Sequence, residues 1–516
     1  MHRQRFITNT VFLFGTGMVA QVVGLLVLPL FIRNLGEEMY GLFVISNMLM
    51  GYVGLLDFGF TDGLTRQIGR AHASGDRQSV SDAVSTGFWL LVGVGLLAGL
   101  LIYFGRFVFL DFLNVTGPDR GVGADLLTVT AVFSMLQWPM RLPQAILKAT
   151  LHIKQFSIVQ ASFAVVASFA MLALVLLSFD VVGIRLGVCL VLAASWVPQV
   201  LLVRRCLPDL AWNPFRFRRE AFLGMSGFSL GMFYTRVLSL LSSRVDHLII
   251  GAMISVGTIP AYVVAEAWRR LTVRATGNLF GAVMPTVFSL DTDANRKKLQ
   301  TLLDGAVRYR ALLISPLAHL GIVMSPAFIR TWMGAEYAPY AIWSQLFMVP
   351  VLTTVFGVAT NIARGIGKLK ICNSILTVRV ILNVTLSIAL IPVFGVGAPI
   401  LGTVVAQTVL GDLVTMPFFC RICNLRSRKA LSDGILIILA NAPVTAAGVL
   451  ALQFVKIDTW IPMLAAIAGF ALVFYVTLLV LFVRREEKED MMRALDAMGI
   501  GRIPKTRAFI VRCLNI

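Results

Sequence analysis

The sequence predicts an all-α integral membrane fold. Three observations carry that reading: an apolar composition, a long series of apolar stretches, and basic residues confined to alternate connections. Of the 516 residues, 58% are hydrophobic and 14% charged, with a mean hydropathy of +0.83. A soluble domain carries roughly 25% charged residues, so this chain lacks the polar surface to stay in water. In a soluble protein its net charge of +19 would suggest nucleic acid. Here the placement of the charges points to membrane topology instead, and no nucleic-acid partner is expected.

A helix needs about 20 apolar residues to cross the hydrocarbon, and on that rule about fourteen spans are expected. The first seven run near Thr8–Ile32, Met39–Thr61, Val84–Phe109, Asp125–Leu147, Phe156–Phe179, Val181–Val203 and Phe222–Ala252. The second seven run near Val256–Leu290, Val307–Thr331, Tyr340–Ala363, Ile371–Pro392, Val396–Cys420, Leu431–Phe454 and Trp460–Val483. The first is too long for a cleavable signal peptide and has no small-residue cleavage site, so it reads as a membrane helix.

Alternate connections hold the cations. Arg66, Arg70 and Arg77 follow the second span, Lys148 and Lys154 the fourth, and Arg204, Arg205, Arg216, Arg218 and Arg219 the sixth. Arg296–Lys298, then Arg364, Lys368 and Lys370, then Arg421, Arg426, Arg428 and Lys429 continue the series. About 33 of the 45 Lys and Arg lie on that side, which marks it as cytoplasmic. Both termini are therefore expected inside. Outward loops reach roughly a dozen residues at most, too short for a folded catalytic domain.

Helices 1 and 7 both run outward and stand six places apart in the series, which suggests two parallel halves. The expected organisation is a six-helix lobe over 1–205, a basic cytoplasmic linker over 206–220 and a second six-helix lobe over 221–425. Two additional spans over 426–485 and a cytoplasmic tail over 486–516, read as a surface helix, complete it.

Helix 7 contains "YTRVLSLLSSRVDHLIIG", Tyr234 to Gly251, and its Arg236, Ser243 and His247 fall on one line with the preceding Ser229 at 100° per residue. Arg244 and Asp246 flank that stripe. Helix 8 carries "AEAWRRLTVR", with Glu266, Arg270 and Arg274 at four-residue steps and Arg269 beside them. A structural pairing reading joins Asp246 to Arg269 and Glu266 to Arg270. Five arginines nevertheless face two carboxylates on these helices, and each charge at mid-depth costs about 2.5–3.5 kcal/mol. The surplus is expected to line a wet, cationic cavity. Arg236, Arg244, His247, Arg270, Arg274 and Arg379 are the expected anion-binding set. Asp57, Asp246, Glu266 and Asp412 are candidates for structural pairing or for Na⁺ or H⁺ coupling.

Other motifs carry no chemistry. Asp57-Phe58-Gly59 has the letters of a kinase metal site without the accompanying loops, and Asp291–Asp293 reads as a helix-end turn. "RGIGKLK" lacks the spacing of a phosphate-binding loop. Cys189 and Cys372 sit in apolar runs, while Cys206, Cys420, Cys423 and Cys513 fall on the basic side. Cys420 and Cys423 read as two incidental thiols at a helix end. No metal site, cofactor or catalytic constellation is expected.

"PLFIRNLGEEMYGLFVISNMLMGYVGLLDFGF", Pro29 to Phe60, resembles the helix 1–2 signature of Wzx-type polysaccharide flippases. "GDRQSVSDAV" is similar to their first cytoplasmic loop, and "VDHLIIGAMISVGTIPAYVVAEAWRRL" to their helix 7–8 turn. "GIGKLKICNSILTVRVILNVTLSIALIPVFGVGAPILGTVVAQ", Gly365 to Gln407, matches the helix 11–12 pattern, with Pro399 where a small residue is usual. The resemblance reaches to about Arg421. It implies the fold of the multidrug/oligosaccharidyl-lipid/polysaccharide exporter superfamily, shared with MATE exporters and the lipid II flippase MurJ: two six-helix lobes around a central cavity, here with two more helices. It also implies an undecaprenyl-pyrophosphate-linked oligosaccharide as cargo, moved across a bacterial inner membrane beside polymerase and assembly proteins. A cation-coupled multidrug exporter or a lipid II flippase is the alternative, and a membrane glycosyltransferase or polymerase a more distant one.

Overall fold

The computed structural model describes residues 2–208, 217–226, 230–277 and 296–482. The expected surface helix over 486–516 and the turn at Asp291–Asp293 lie outside them, as do Ser229, Cys513 and most of the 206–220 linker. Among the described residues every regular element is a helix, α or 3-10. Ten are long and apolar enough to cross a membrane. The chain is a multi-pass membrane protein. Over their described residues, the four other expected spans fall on helices as well: on α1 (His2–Leu35), on α5 and α6, on α10 and α11 and on α12, whose ranges follow.

The helices group into two compact units, one of residues 15–260 and one of residues 1–14 with 261–516. Helix α11 therefore clusters with the first unit.

In the first unit, α2 (Glu37–Val53) is followed by a 3-10 turn (Gly54–Asp57) and α3 (Phe60–Ala73). Next come α4 (Arg77–Phe112), α5 (Pro118–Gln137), α6 (Arg141–Ala149), α7 (Ile153–Leu176), α8 (Val181–Ala194) and α9 (Trp196–Cys206). Short α10 (Arg219–Ser226) leads to α11 (Leu230–Met253). Asp76 caps α4, accepting from the Ser79 backbone N–H at 2.9 Å.

Helices α4 and α5 pack along each other through Gly95 and Gly99, one turn apart. A Cβ at Gly95 would lie 2.8 Å from the Met135 carbonyl oxygen, and one at Gly99 2.7 Å from that of Ala131. Small residues at i and i+4 allow this approach, the usual route to dispersion contact where lipid supplies no hydrophobic drive. The opposite face of α4 presents Leu101, Phe104, Val108 and Phe112, all exposed. That apolar stripe suits hydrocarbon.

The second unit is built on one long helix, Arg296–Met333, whose most apolar stretch is 72% buried, against 11% for Trp460–Leu481. The first is a central post and the second faces lipid. The segments Arg428–Ala440, Ala442–Phe454 and Trp460–Leu481 all pack on the post from its outer side. Buried Arg308 reaches Asp433 at 3.7 Å, tying the post to the first of them. The unit begins with α12 (Ile259–Gly277), which starts at the end of the first unit. Helix Leu369–Phe394 forms a tight hairpin with Gly397–Val409.

Candidate functional site

The first unit's chemistry gathers where α2 ends. The sequence there, Gly54-Leu-Leu-Asp-Phe-Gly59, carries two successive left-handed residues, Phe58 (φ 43°) and Gly59 (φ 83°). Left-handed backbone stops an α-helix, and glycine takes it without Cβ strain. The expected second span, to about Thr61, corresponds to the membrane-length segment Glu37–Asp57, whose last turn from Gly54 is 3-10, and the basic stretch after it is helical α3.

The break turns the Asp57 carboxylate back on the new helix. Its Oδ1 accepts from the Thr61 backbone N–H at 2.9 Å and from the Thr61 hydroxyl at 2.7 Å. A carboxylate at a helix N-terminus satisfies orphan amides and complements the dipole.

Arg236, from α11, completes the arrangement. Its Nη1 donates to Asp57 Oδ2 at 2.7 Å and its Nη2 to Asp62 Oδ2 at 2.5 Å. The fork spans two carboxylates. The Asp57 side chain is 3% exposed and that of Asp62 44% exposed, so one end of the triad is buried and the other is open. Arg236, one of the expected anion-binding set, is thus engaged by two carboxylates. Its own helix offers no partner at i±3 or i±4, and both carboxylates come from the α2–α3 break.

These residues line a cavity of 590 Å³ within the first unit. Arg141 and Lys148 of α6 also line it, as do Gln137, Gln144 and Gln160. Gln137, Arg141, Gln144 and Lys148 follow at 4, 3 and 4 residues, a polar stripe at helical spacing. The sequence reading missed that stripe, although the spacing was there to find. The Arg141 guanidinium sits 4.0 Å from the centre of the Trp138 ring. Three cations (Arg141, Lys148, Arg236) against two carboxylates (Asp57, Asp62) leave the lining net +1. A cavity of this size and polarity can take a charged, hydroxyl-rich headgroup.

The other expected residues fall elsewhere. The Arg244 guanidinium fills the space that a side chain at Gly51 would take. Asp246 and His247 are buried and do not line this cavity. In the second unit, Glu266 bonds Arg269 directly and Arg270 at 3.3 Å. The expected Glu266–Arg270 pair is present, with Arg269 added. Arg274 is exposed. Arg379 and Asp412 share a separate, smaller pocket of the second unit. A further intramembrane cation went unnoticed in the sequence: Arg185, 2% exposed, whose Nη1 donates to Asn47 Oδ1 at 2.5 Å and whose Nε donates to Thr130 Oγ1 at 3.3 Å. It ties α8 to α2 and α5. Among the described residues, no group of three or more His, Cys, Asp or Glu could hold a metal.

Comparison with solved structures places the fold. The lipid II flippase MurJ in an inward closed conformation aligns with a TM-score of 0.72 at 14% identity, covering 92% of this chain and 100% of that one. An inward-facing multidrug resistance MATE family transporter of the MOP superfamily aligns at 0.64 and 14% identity, covering 78% and 94%. A MOP superfamily transporter from Pyrococcus furiosus, whose binding pocket has reverse polarity, aligns at 0.58 and 14% identity, covering 82% and 96%. At such identities the likeness establishes the fold alone. No curated protein matches by sequence. The model of one family, described as polysaccharide biosynthesis protein, matches residues 30–342. That is more than half of the sequence, and the chain belongs to the polysaccharide biosynthesis protein family.

Proposed function

We propose that the chain is a transporter rather than an enzyme: a flippase that moves an undecaprenyl-pyrophosphate-linked oligosaccharide from the inner to the outer leaflet of a bacterial cytoplasmic membrane, with both termini in the cytoplasm. The observation that carries this reading is the net-positive cavity of the first unit. Arg141 and Lys148 suit pyrophosphate oxygens, and Arg forks match them in pairs. Gln137, Gln144 and Gln160 offer the donors and acceptors that sugar hydroxyls need. Membership of a polysaccharide biosynthesis family supplies the context.

The headgroup would cross through the polar cavity while the polyprenyl tail stays in lipid. An inside-negative potential pushes an anionic headgroup outward by about 2.3 kcal/mol per charge per 100 mV. A multidrug exporter for cationic drugs would need carboxylates free to meet its cargo. Here Asp57 and Asp62 are both engaged by Arg236.

The test is deletion of the gene in its own host. Surface glycan should fall and the lipid-linked precursor should accumulate in the inner leaflet. Restoration by the wild-type chain, and not by a normally expressed Arg141→Gln/Lys148→Gln variant, is the expected result. Unchanged surface glycan with no precursor accumulation, or drug hypersensitivity in its place, would overturn the reading.

A further inference from the structure

The second unit contains a polar pocket of 180 Å³ that the proposed cargo cavity does not use. Four helices meet there, each bringing one charge to the lining: Arg310 from Arg296–Met333, Arg364 from Val358–Gly365, Arg379 from Leu369–Phe394 and Asp412 from Asp412–Ile422. Three guanidiniums against one carboxylate leave the pocket net +2. The short 3-10 turn Thr354–Gly357 interrupts the α-helical run of a membrane span. Arg310 Nη2 donates to the Thr354 carbonyl oxygen in that turn, at 2.8 Å.

Part of the hydrogen-bonding capacity in the pocket is left unmet. Asp412 accepts from the Thr360 hydroxyl at 3.4 Å, and all three arginines act on it electrostatically. Among the described residues, the Nε atoms of Arg364 and Arg379 are buried without an acceptor. Buried guanidinium donors left unmet at low dielectric are costly. A multi-oxygen anion satisfies several of them at once, in the bidentate geometry Arg prefers. The pocket's volume equals that of about six waters at ~30 Å³ each. That admits a phosphate group and excludes a sugar chain.

We propose that this pocket binds a single phosphate group, as inorganic phosphate or as a lipid headgroup. Asp412 acts there as the built-in counter-ion that an entering anion must displace. The proposal is independent of the identity of the transported cargo.

Purified full-length protein tests it in two arms. In detergent the probe is radiolabelled inorganic phosphate. In nanodiscs it is phosphatidylglycerol, counted by native mass spectrometry. Whichever source is the occupant, Arg379→Gln should weaken one class of binding about tenfold or more, as loss of a charge-assisted bond does. Asp412→Asn should tighten the same class, because it removes the competing carboxylate. If Arg379→Gln fails to fold, Asp412→Asn decides alone. Binding of neither probe by wild type and Asp412→Asn, or binding unaltered in both variants, would show that water and mutual compensation fill the pocket and that the proposal is wrong.

Discussion

Arg236 and Asp57 stand 179 residues apart in the chain and 2.7 Å apart in the fold. The pair joins α11 to the break between α2 and α3, and its second arm, to Asp62, opens onto the cavity. Two roles follow for Arg236: it neutralises a buried carboxylate, and it presents part of its charge to the cavity. A single substitution confounds the two, so they must be separated by variants in combination.

Arg236→Ala should lower protein abundance as well as transport, because Asp57 is left buried without its cation. The expected cost is about 2–4 kcal/mol, below the range for a fully buried pair since the Arg236 side chain is 37% exposed. The double variant Arg236→Gln/Asp57→Asn removes both charges and keeps hydrogen-bonding shapes, so abundance should recover. Thermal melting of detergent-purified protein checks the first half, and surface glycan the second. Independent, additive losses in melting temperature would show that the pair is not coupled.

Gly99 should not tolerate a branched residue. Gly99→Val places its Cβ 2.7 Å from the Ala131 carbonyl, so α4 and α5 must separate. Overpacking of this kind costs about 1–3 kcal/mol. Gly105→Val, on the same helix with no neighbouring atom in the way, should melt close to wild type. Equal melting of the two would show that the α4–α5 contact is not close-packed in the membrane.

Cys423 lies between two membrane helices, and burial pushes its thiol up to about 11. It is therefore neutral near pH 7, and only the thiolate reacts. In a variant keeping Cys423 alone, maleimide labelling should rise about tenfold per pH unit from pH 7 to pH 10, following the thiolate fraction. A plateau by pH 9 would mean an ordinary, solvated thiol.

The sequence by itself determined the all-helical membrane class, the approximate positions of the spans and the family. Hydrophobic runs of membrane length and alternating basic connections are local signals, and lipid offers a backbone few ways to satisfy its hydrogen bonds. Arg236 and Asp57 were both legible as costly charges in an apolar helix. The Glu266–Arg270 pair was legible too, because i,i+4 neighbours meet whatever the rest of the fold does. Only the tertiary structure decided that Arg236 grips Asp57 and Asp62, that Arg141 and Lys148 share their cavity, and that Arg379 meets Asp412, Arg310 and Arg364 in a different one. Those meetings depend on where helices break and which faces they turn to one another. Helical periodicity fixes each face only up to a rotation that packing alone selects.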